Sequence, residues 1–150
     1  MEHARTHERG FTLIEIMAVV LIIGLLTTLV GIAIVPQIDK SRAATARAQL
    51  KMLDAAIETY RMDTAVFPTT EQGLQALIQE PPEARNYQPG GYLRERRIPL
   101  DPWGNAYQYE SPGQHNDHAY DLWSFGADGT PGGDGVDTDI GNWADEIAGG

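Results

Sequence analysis

The sequence predicts an α+β protein in which one long N-terminal helix packs on a small antiparallel sheet. An apolar run over residues 10–36 and the amphipathic stretch that follows it predict the helix. Two aromatic-rich runs at residues 106–109 and 120–125, separated by Ser111-Pro112-Gly113, predict a β-hairpin. After the apolar run, roughly a hundred residues remain, which is the size of one small domain.

The apolar run has the length of a membrane span. It carries no charge from Ile16 through Ile38, and about twenty apolar helical residues extend about 30 Å, enough to cross the hydrocarbon of a bilayer. We therefore expect a membrane-spanning helix over residues 11–36. Arg5 and Arg9 precede it, which predicts a cytoplasmic N-terminus and an exported C-terminal part.

Glu15 lies within this apolar segment, where an ionised carboxylate costs several kcal/mol unless a partner neutralises it. A cut between Gly10 and Phe11 would create an α-ammonium at Phe11, and that amine could neutralise Glu15 of a neighbouring helix. Two alternatives stay open. The segment could be an uncut signal anchor whose acid snorkels toward the headgroups, or a secretory signal cleaved before Ile34.

The helix is predicted to continue beyond the apolar run. Apolar positions recur at steps of four and three residues on one stripe, which comprises Ala46, Leu50, Leu53, Ile57 and Tyr60. The helix should therefore run from about Phe11 to about Met62 and place this stripe on the sheet. Thr69 and Gln72 have the spacing of a capping box, which predicts a second helix over residues 68–79.

The composition limits the possible partners. The formal net charge is −10, which gives no electrostatic basis for binding nucleic acid. The chain has no cysteine, so an exported domain of this size must be held together without a disulfide.

The C-terminal region carries a candidate metal site. Four acids, Asp128, Asp134, Asp137 and Asp139, fall within twelve residues and are separated by glycines. Crowded carboxylates repel one another, so we expect the loop to fold around a hard cation, and Ca²⁺ accepts the irregular oxygen geometry of such a loop. A solvated acidic loop is the alternative.

Residues 10–15, Gly-Phe-Thr-Leu-Ile-Glu, followed by the apolar run, resemble the class III leader of type IV pilins and of the pseudopilins of type II secretion. The resemblance implies cleavage after Gly10 by an inner-membrane prepilin peptidase and N-methylation of Phe11. It also implies that Glu15 is the residue required for assembly.

Four further segments, residues 67–74, 101–105, 123–129 and 139–143, are similar to the major pseudopilin family of type II secretion systems, the general secretion pathway protein G family. The family implies a type IV pilin-like fold, with a long helix on a three-stranded antiparallel sheet and a calcium loop near the C-terminus. The calcium ligands that it implies are the side chains of Asp128, Asp137 and Asp139 and the carbonyl of Phe125.

The family also implies a location and partners. The precursor would consist of a cleaved leader (residues 1–10), a transmembrane and filament-core helix (residues 11–36) and a periplasmic domain (residues 37–150) in a Gram-negative bacterium. The mature chain would leave the inner membrane to form a homopolymeric helical filament, with minor pseudopilins and an inner-membrane assembly platform as partners, and this filament would drive export of folded proteins. The alternatives are a membrane-anchored calcium-binding adaptor and a type IV pilin subunit.

Charged residues suggest contacts between subunits. Asp54 and Glu58 share a helix face, and Arg94, Arg96 and Arg97 form a basic group. We hypothesise that Asp54 and Glu58 pair with Arg96 and Arg97 of an adjacent subunit, the alternative being two solvated faces.

No enzymatic activity is predicted. The chain lacks cysteine and a Gly-x-Ser-x-Gly nucleophile motif, so the candidates reduce to His115 and His118 beside Asp117 and Asp121. An incidental zinc site at the two histidines is a second metal hypothesis.

Overall fold

The computed structural model describes residues 11–143, and within its first helix it describes the backbone but not the side chains of residues 29–36. The chain divides into two compact units after Ile38. The first unit contributes the beginning of the helix. The second contains the end of the helix, the sheet and the connecting loops.

Helix α1 comprises Leu13–Thr64 and is 52 residues long, close to the predicted bounds. It ends where Ala65 adopts a φ of +67° and donates its amide to the carbonyl of Arg61 at 2.8 Å, because a left-handed residue turns the chain out of the helix. Over the described residues, no helix is both long and apolar enough to cross a membrane. The span predicted for residues 11–36 is not confirmed there.

The predicted stripe forms the buried face of α1 in the second unit. Ala46, Leu53 and Ile57 are fully buried, and Leu50 and Tyr60 nearly so. These side chains share one core with residues of the sheet and loops, chiefly Leu77, Tyr107, Tyr120, Leu122 and Ile140. The 3.6-residue period of the sequence therefore identified the packing face correctly.

Three short strands form one antiparallel sheet in the order β1-β2-β3, where β1 is Gln108–Glu110, β2 is Asp121–Ser124 and β3 is Ile140–Gly141. Tyr109 lies opposite Leu122, and Trp123 lies opposite Gly141. The predicted hairpin and the three-stranded sheet implied by the family are both confirmed.

The predicted second helix is largely wrong. The Thr69 amide donates to Gln72 Oε1 at 2.9 Å and the Gln72 amide donates to Thr69 Oγ1 at 3.2 Å, so the capping box does form. The residue after it, Gly73, has a φ of +55°, and only a 3₁₀ helix of five residues, Gly73–Leu77, follows. A left-handed residue directly after the cap breaks the i to i+4 ladder that an α-helix requires.

Buried and half-buried tyrosines connect the sheet to the rest of the domain. The hydroxyl of Tyr109 donates to the carbonyl of Pro68 at 2.8 Å, and its ring stacks on Tyr120 at 5.6 Å between centroids. Burial raises the pKa of Tyr109 to about 12. Burial also raises the pKa of Tyr107 and Tyr120.

These shifts predict a loss of stability in alkali. A raised folded-state pKa contributes stability that is complete below the unfolded pKa and is lost as the pH rises through the folded one. For Tyr109 the loss should span the interval from its ordinary pKa of 10.0 to about 12. We expect Tyr109→Phe to lose less stability than wild type across this interval in denaturant titrations followed by tryptophan fluorescence. Equal losses in both proteins would show that Tyr109 does not contribute.

Candidate functional site

The start of α1 holds Glu15 against Thr12. The amide of Thr12 donates to Glu15 Oε2 at 2.7 Å, its hydroxyl donates to the same oxygen at 3.1 Å, and the Glu15 amide donates to Thr12 Oγ1 at 3.3 Å. This reciprocal pattern is a capping box. Sequence reasoning sought only a cation for Glu15 and missed Thr12, although Thr-Leu-Ile-Glu has the spacing of the motif.

The predicted cleavage site lies at the edge of the described chain. Gly10 is outside the described residues, whereas Phe11, the predicted methylation position, is 84% exposed. Its amide nitrogen is one residue from the capped Thr12. An amine created at Phe11 would stand two residues before the start of α1 and four residues before Glu15 in its own chain.

The first turns of α1 present a broad apolar surface, which we call the N-terminal apolar surface and define by the apolar side chains of residues 13–26. Leu13 is 81% exposed, Ile14 and Leu21 are each 75% exposed, and Leu25 is 65% exposed. Glu15 is the one charged residue in this range. An apolar surface of this extent is characteristic of a protein or membrane contact.

The loop that joins β2 to β3 carries the predicted metal ligands. The carboxylate of Asp128 accepts hydrogen bonds from the Thr130 amide at 3.1 Å and the Thr130 hydroxyl at 2.8 Å. These bonds lower the pKa of Asp128. Asp128 is therefore an ionised, exposed carboxylate near the start of the loop.

Asp139 lies at the other end of the same loop. Its Oδ2 accepts a hydrogen bond from the Gly132 amide at 3.0 Å. Its Oδ1 is buried and has no hydrogen-bond partner among the residues that the structure describes. A buried carboxylate oxygen without a donor is costly, so this atom requires a partner of another kind.

The remaining predicted ligands, Phe125 and Asp137, lie in the two segments that approach each other at the base of the loop, where Gly126 meets Asp137. Gly126, the residue after Phe125, packs so tightly that an added Cβ would lie 2.8 Å from the carbonyl carbon of Asp137. The Ala127 amide donates to the carbonyl of Val136 at 3.0 Å. Within residues 11–143, however, no three acidic or imidazole side chains cluster closely enough to hold a metal ion by themselves.

The acids predicted to contact a neighbouring subunit have partners within the chain. Tyr120 donates its hydroxyl to Asp54 Oδ1 at 2.6 Å, and Glu58 forms an ion pair with Arg61 at 3.0 Å on the same helix. Both acids also line a groove of about 750 Å³ beside the sheet.

The basic residues lie on an exposed loop. Arg97 pairs with Glu95 at 2.7 Å, both side chains being largely exposed, and Arg96 adopts a φ of +49° with its guanidinium group beside Gly90. Contact of Arg96 and Arg97 with another subunit stays a prediction.

His115 is engaged with a buried acid. Its Nδ1 lies 3.0 Å from Oδ2 of Asp121, and its ring stacks on Trp143 at 4.0 Å between centroids. Burial would raise the pKa of Asp121, but hydrogen bonds from His115 and from nearby backbone amides lower it. His118 is 3.5 Å from Asp117 on the surface. The described residues offer no third ligand for a zinc site at these histidines.

Comparison with solved structures identifies the class of fold. The chain is similar to the crystal structure of the major pseudopilin from the type 2 secretion system of enterohaemorrhagic Escherichia coli. The two share 43% sequence identity with a TM-score of 0.62 over 72% of this chain and 91% of that chain. The long helix on a three-stranded sheet is therefore a pilin-like fold of the pseudopilin type.

Sequence comparison identifies the family. The family model for type II secretion system protein G matches residues 33–143, and the model for the prokaryotic N-terminal methylation motif matches residues 5–34. The chain is 44% identical to the type II secretion system core protein G of Pseudomonas aeruginosa over 93% of this chain and 97% of that protein. It is 45% identical to that of Vibrio cholerae over 91% and 92% of the two chains. The chain belongs to the type II secretion system protein G family.

Proposed function

We propose that this chain is the repeating structural subunit of the type II secretion pseudopilus, a helical filament that drives export of folded proteins across the outer membrane. The observation that carries the proposal is the N-terminal apolar surface with its single acid. Burying such a surface against equivalent helices stabilises a filament by roughly 25 cal/mol for each Å² of apolar area removed from water. Membership of the protein G family supports the same role and a location in the envelope of a Gram-negative bacterium.

The proposal includes a processing step. A prepilin peptidase removes residues 1–10 after Gly10, and Phe11 is then N-methylated. The match of residues 5–34 to the methylation motif supports this sequence of events. Before assembly, residues 11–36 lie in the inner membrane with the N-terminus in the cytoplasm, and residues 37–150 lie in the periplasm. The assembly platform and minor pseudopilins are the partners at the next step.

Glu15 sets the register of the helices in the filament. Both capping bonds from Thr12 end on Oε2, so Oε1 is not used by the cap. Oε1 can then accept a hydrogen bond from the methylated amine of Phe11 in a neighbouring subunit. A carboxylate that enters an apolar filament core without a cation is strongly destabilising, whereas a well-aligned ion pair offsets much of the desolvation cost. A helix that slides out of register loses this pairing.

We also propose that calcium binds the loop over residues 125–139. The ligands are the side chains of Asp128, Asp137 and Asp139 and the carbonyl of Phe125. The buried, unpartnered Oδ1 of Asp139 supports the site, because an ion would supply the partner that this atom lacks. Since three carboxylates do not converge, backbone carbonyls must complete the six to eight oxygen ligands that Ca²⁺ takes. The bound ion would neutralise the acids of the loop.

The first prediction from the proposed function separates the charge of Glu15 from its capping role. Glu15→Gln keeps a side chain that can complete a capping box but removes the charge, so we expect it to abolish filaments and secretion. Thr12→Val removes the hydroxyl bonds of the cap but keeps the charge, and we expect assembly to persist. Filaments are scored by electron microscopy of sheared cells, and the mature N-terminus is determined by mass spectrometry.

Glu71→Gln, at an exposed acid of the second unit, is the matched control and should assemble normally. If Glu15→Leu assembles filaments and secretes as well as wild type, the pairing role of Glu15 is overturned. If wild type forms no filaments and Glu15→Leu is the more stable of the two in the membrane, the chain is a membrane anchor rather than a filament subunit. Recovery of Met1 in the mature chain would support the same conclusion.

Calcium removal provides the second prediction. Chelation should lower the thermal midpoint of the wild-type chain, because a ligand at a hundred times its dissociation constant stabilises the folded state by about 2.7 kcal/mol. Asp139→Asn should abolish the response of the thermal midpoint to chelation, because it removes the negative charge of the carboxylate whose Oδ1 has no hydrogen-bond partner among the described residues. Asp134→Asn serves as the control, because Asp134 is outside the proposed ligand set. A midpoint that does not respond to chelation in wild type would refute the site.

The third prediction concerns pairing between subunits. Reversal of either charge, Asp54→Arg or Arg97→Asp, should impair assembly, and the double reversal should restore it. Tyr120→Phe is the control for Asp54, because it removes the hydrogen bond within the chain and leaves the charge unaltered. The same cycle applies to Glu58 with Arg96. A double reversal that stays inactive while Tyr120→Phe assembles would show that the two residues do not pair.

A further inference from the structure

A buried aspartate fixes the turn at residues 101–105. Asp101 is 4% exposed, and its Oδ1 accepts hydrogen bonds from the amides of Trp103 at 3.0 Å and Asn105 at 2.8 Å. Its Oδ2 accepts a hydrogen bond from the hydroxyl of Ser124 at 2.5 Å. The turn is thus joined to the last residue of β2, which is 23 residues further along the chain.

Two side chains extend this connection to the base of the acidic loop. The fully buried hydroxyl of Ser124 accepts the Gly126 amide at 3.1 Å. The side-chain amide of Asn105 donates to the carbonyl of Gly126 at 3.0 Å. Asn105 also reaches the next turn of the loop, because an added Cβ at Gly129 would lie 3.1 Å from its Oδ1.

These bonds determine the direction of the Phe125 carbonyl. The peptide group is planar, so the amide of Gly126 and the carbonyl of Phe125 belong to one rigid unit and point in opposite directions. Ser124 holds that amide, and Asn105 holds the peptide group that follows. The Phe125–Gly126 peptide therefore cannot rotate without breaking a buried hydrogen bond, which fixes the carbonyl before any ligand arrives.

We propose that Asp101, Ser124 and Asn105 are positioning residues that orient the Phe125 carbonyl for a divalent cation in the loop. The inference rests on the calcium site proposed above, although none of the three residues is a ligand in it. Asp101 holds Ser124 and the turn that carries Asn105, and these two hold the peptide groups on either side of Gly126. Their removal lowers cation affinity because the loop must order a peptide group that wild type already holds in place.

The experiment measures calcium binding and backbone protection in the full-length chain in detergent. Calcium affinity is measured by titration calorimetry with calcium chloride, and amide hydrogen exchange over residues 125–130 is measured in the calcium-free chain. We expect Asn105→Ala and Ser124→Ala to weaken calcium binding about tenfold, as expected for one buried hydrogen bond. Both variants should also speed exchange at the Gly126 amide without calcium. Ser124→Thr restores the hydroxyl and should recover both properties.

Asn116→Ala is the matched control. Asn116 donates its side-chain amide to the carbonyl of Tyr120 at 3.2 Å, which is the same chemistry at a site outside the loop. This variant should lower the thermal midpoint and leave calcium affinity unchanged.

The outcomes distinguish this inference from the proposal on which it rests. If wild type does not bind calcium, both fail. If wild type binds calcium and Asn105→Ala binds it equally well with unchanged exchange, the positioning role is overturned and the calcium site stands. If Ser124→Ala does not fold, the calcium affinity and hydrogen exchange of Asn105→Ala alone test the positioning role.

Discussion

The apolar side chains at the start of α1 must be removed from water, and the rest of the molecule depends on how this is done. The second unit has its own hydrophobic core. The buried residues that α1 supplies to this core run from Ala46 to Tyr60. Residues 13–26 belong to the first unit and are exposed in the single chain. Their burial therefore has to come from lipid or from other subunits, so that the stability of this segment is a property of the assembly rather than of the monomer.

Glu15 makes the burial of this surface selective. A wholly apolar segment would be stable in lipid and in a bundle alike, since hydrocarbon and leucine side chains are similar surroundings. An acid destabilises both unless a cation meets it, and in the proposed filament the amine of a processed neighbouring subunit supplies that cation. The capping box is compatible with this pairing, because both bonds from Thr12 end on Oε2 of Glu15. The proposed pairing therefore uses Oε1, the carboxylate oxygen to which Thr12 does not donate.

Features that depend on a periodic pattern could be predicted from the sequence. Features that depend on the backbone conformation of a single residue could not. The helical stripe from Ala46 to Tyr60 repeats every turn, so its burial could be read directly. The helix predicted after Thr69 was lost because Gly73 takes a positive φ, which a capping-box pattern does not reveal. In the acidic loop, the candidate ligands could be named but not their hydrogen bonds. The contact between Asp101 and Ser124 spans 23 residues and has no local pattern, so it needed a structure.

Side-chain hydrogen bonds hold both ends of the C-terminal loop in this chain, which has no cysteine. At its start, Ser124 and Asn105 hold both polar groups of Gly126. At its end, Asn142 extends the two-residue strand β3 by donating to the carbonyl of Tyr120 at 3.1 Å and accepting the Leu122 amide at 3.1 Å.

Each such bond contributes about 0.5–1.5 kcal/mol, so four together approach the 2–5 kcal/mol that a native disulfide gives a small exported domain. They fasten only the two ends of the loop. The stretch between Asp128 and Asp139 keeps its acids and an unpartnered carboxylate oxygen, and hydrogen bonding within the described chain leaves that oxygen unsatisfied. A bound cation would supply the partner that this carboxylate oxygen of Asp139 lacks.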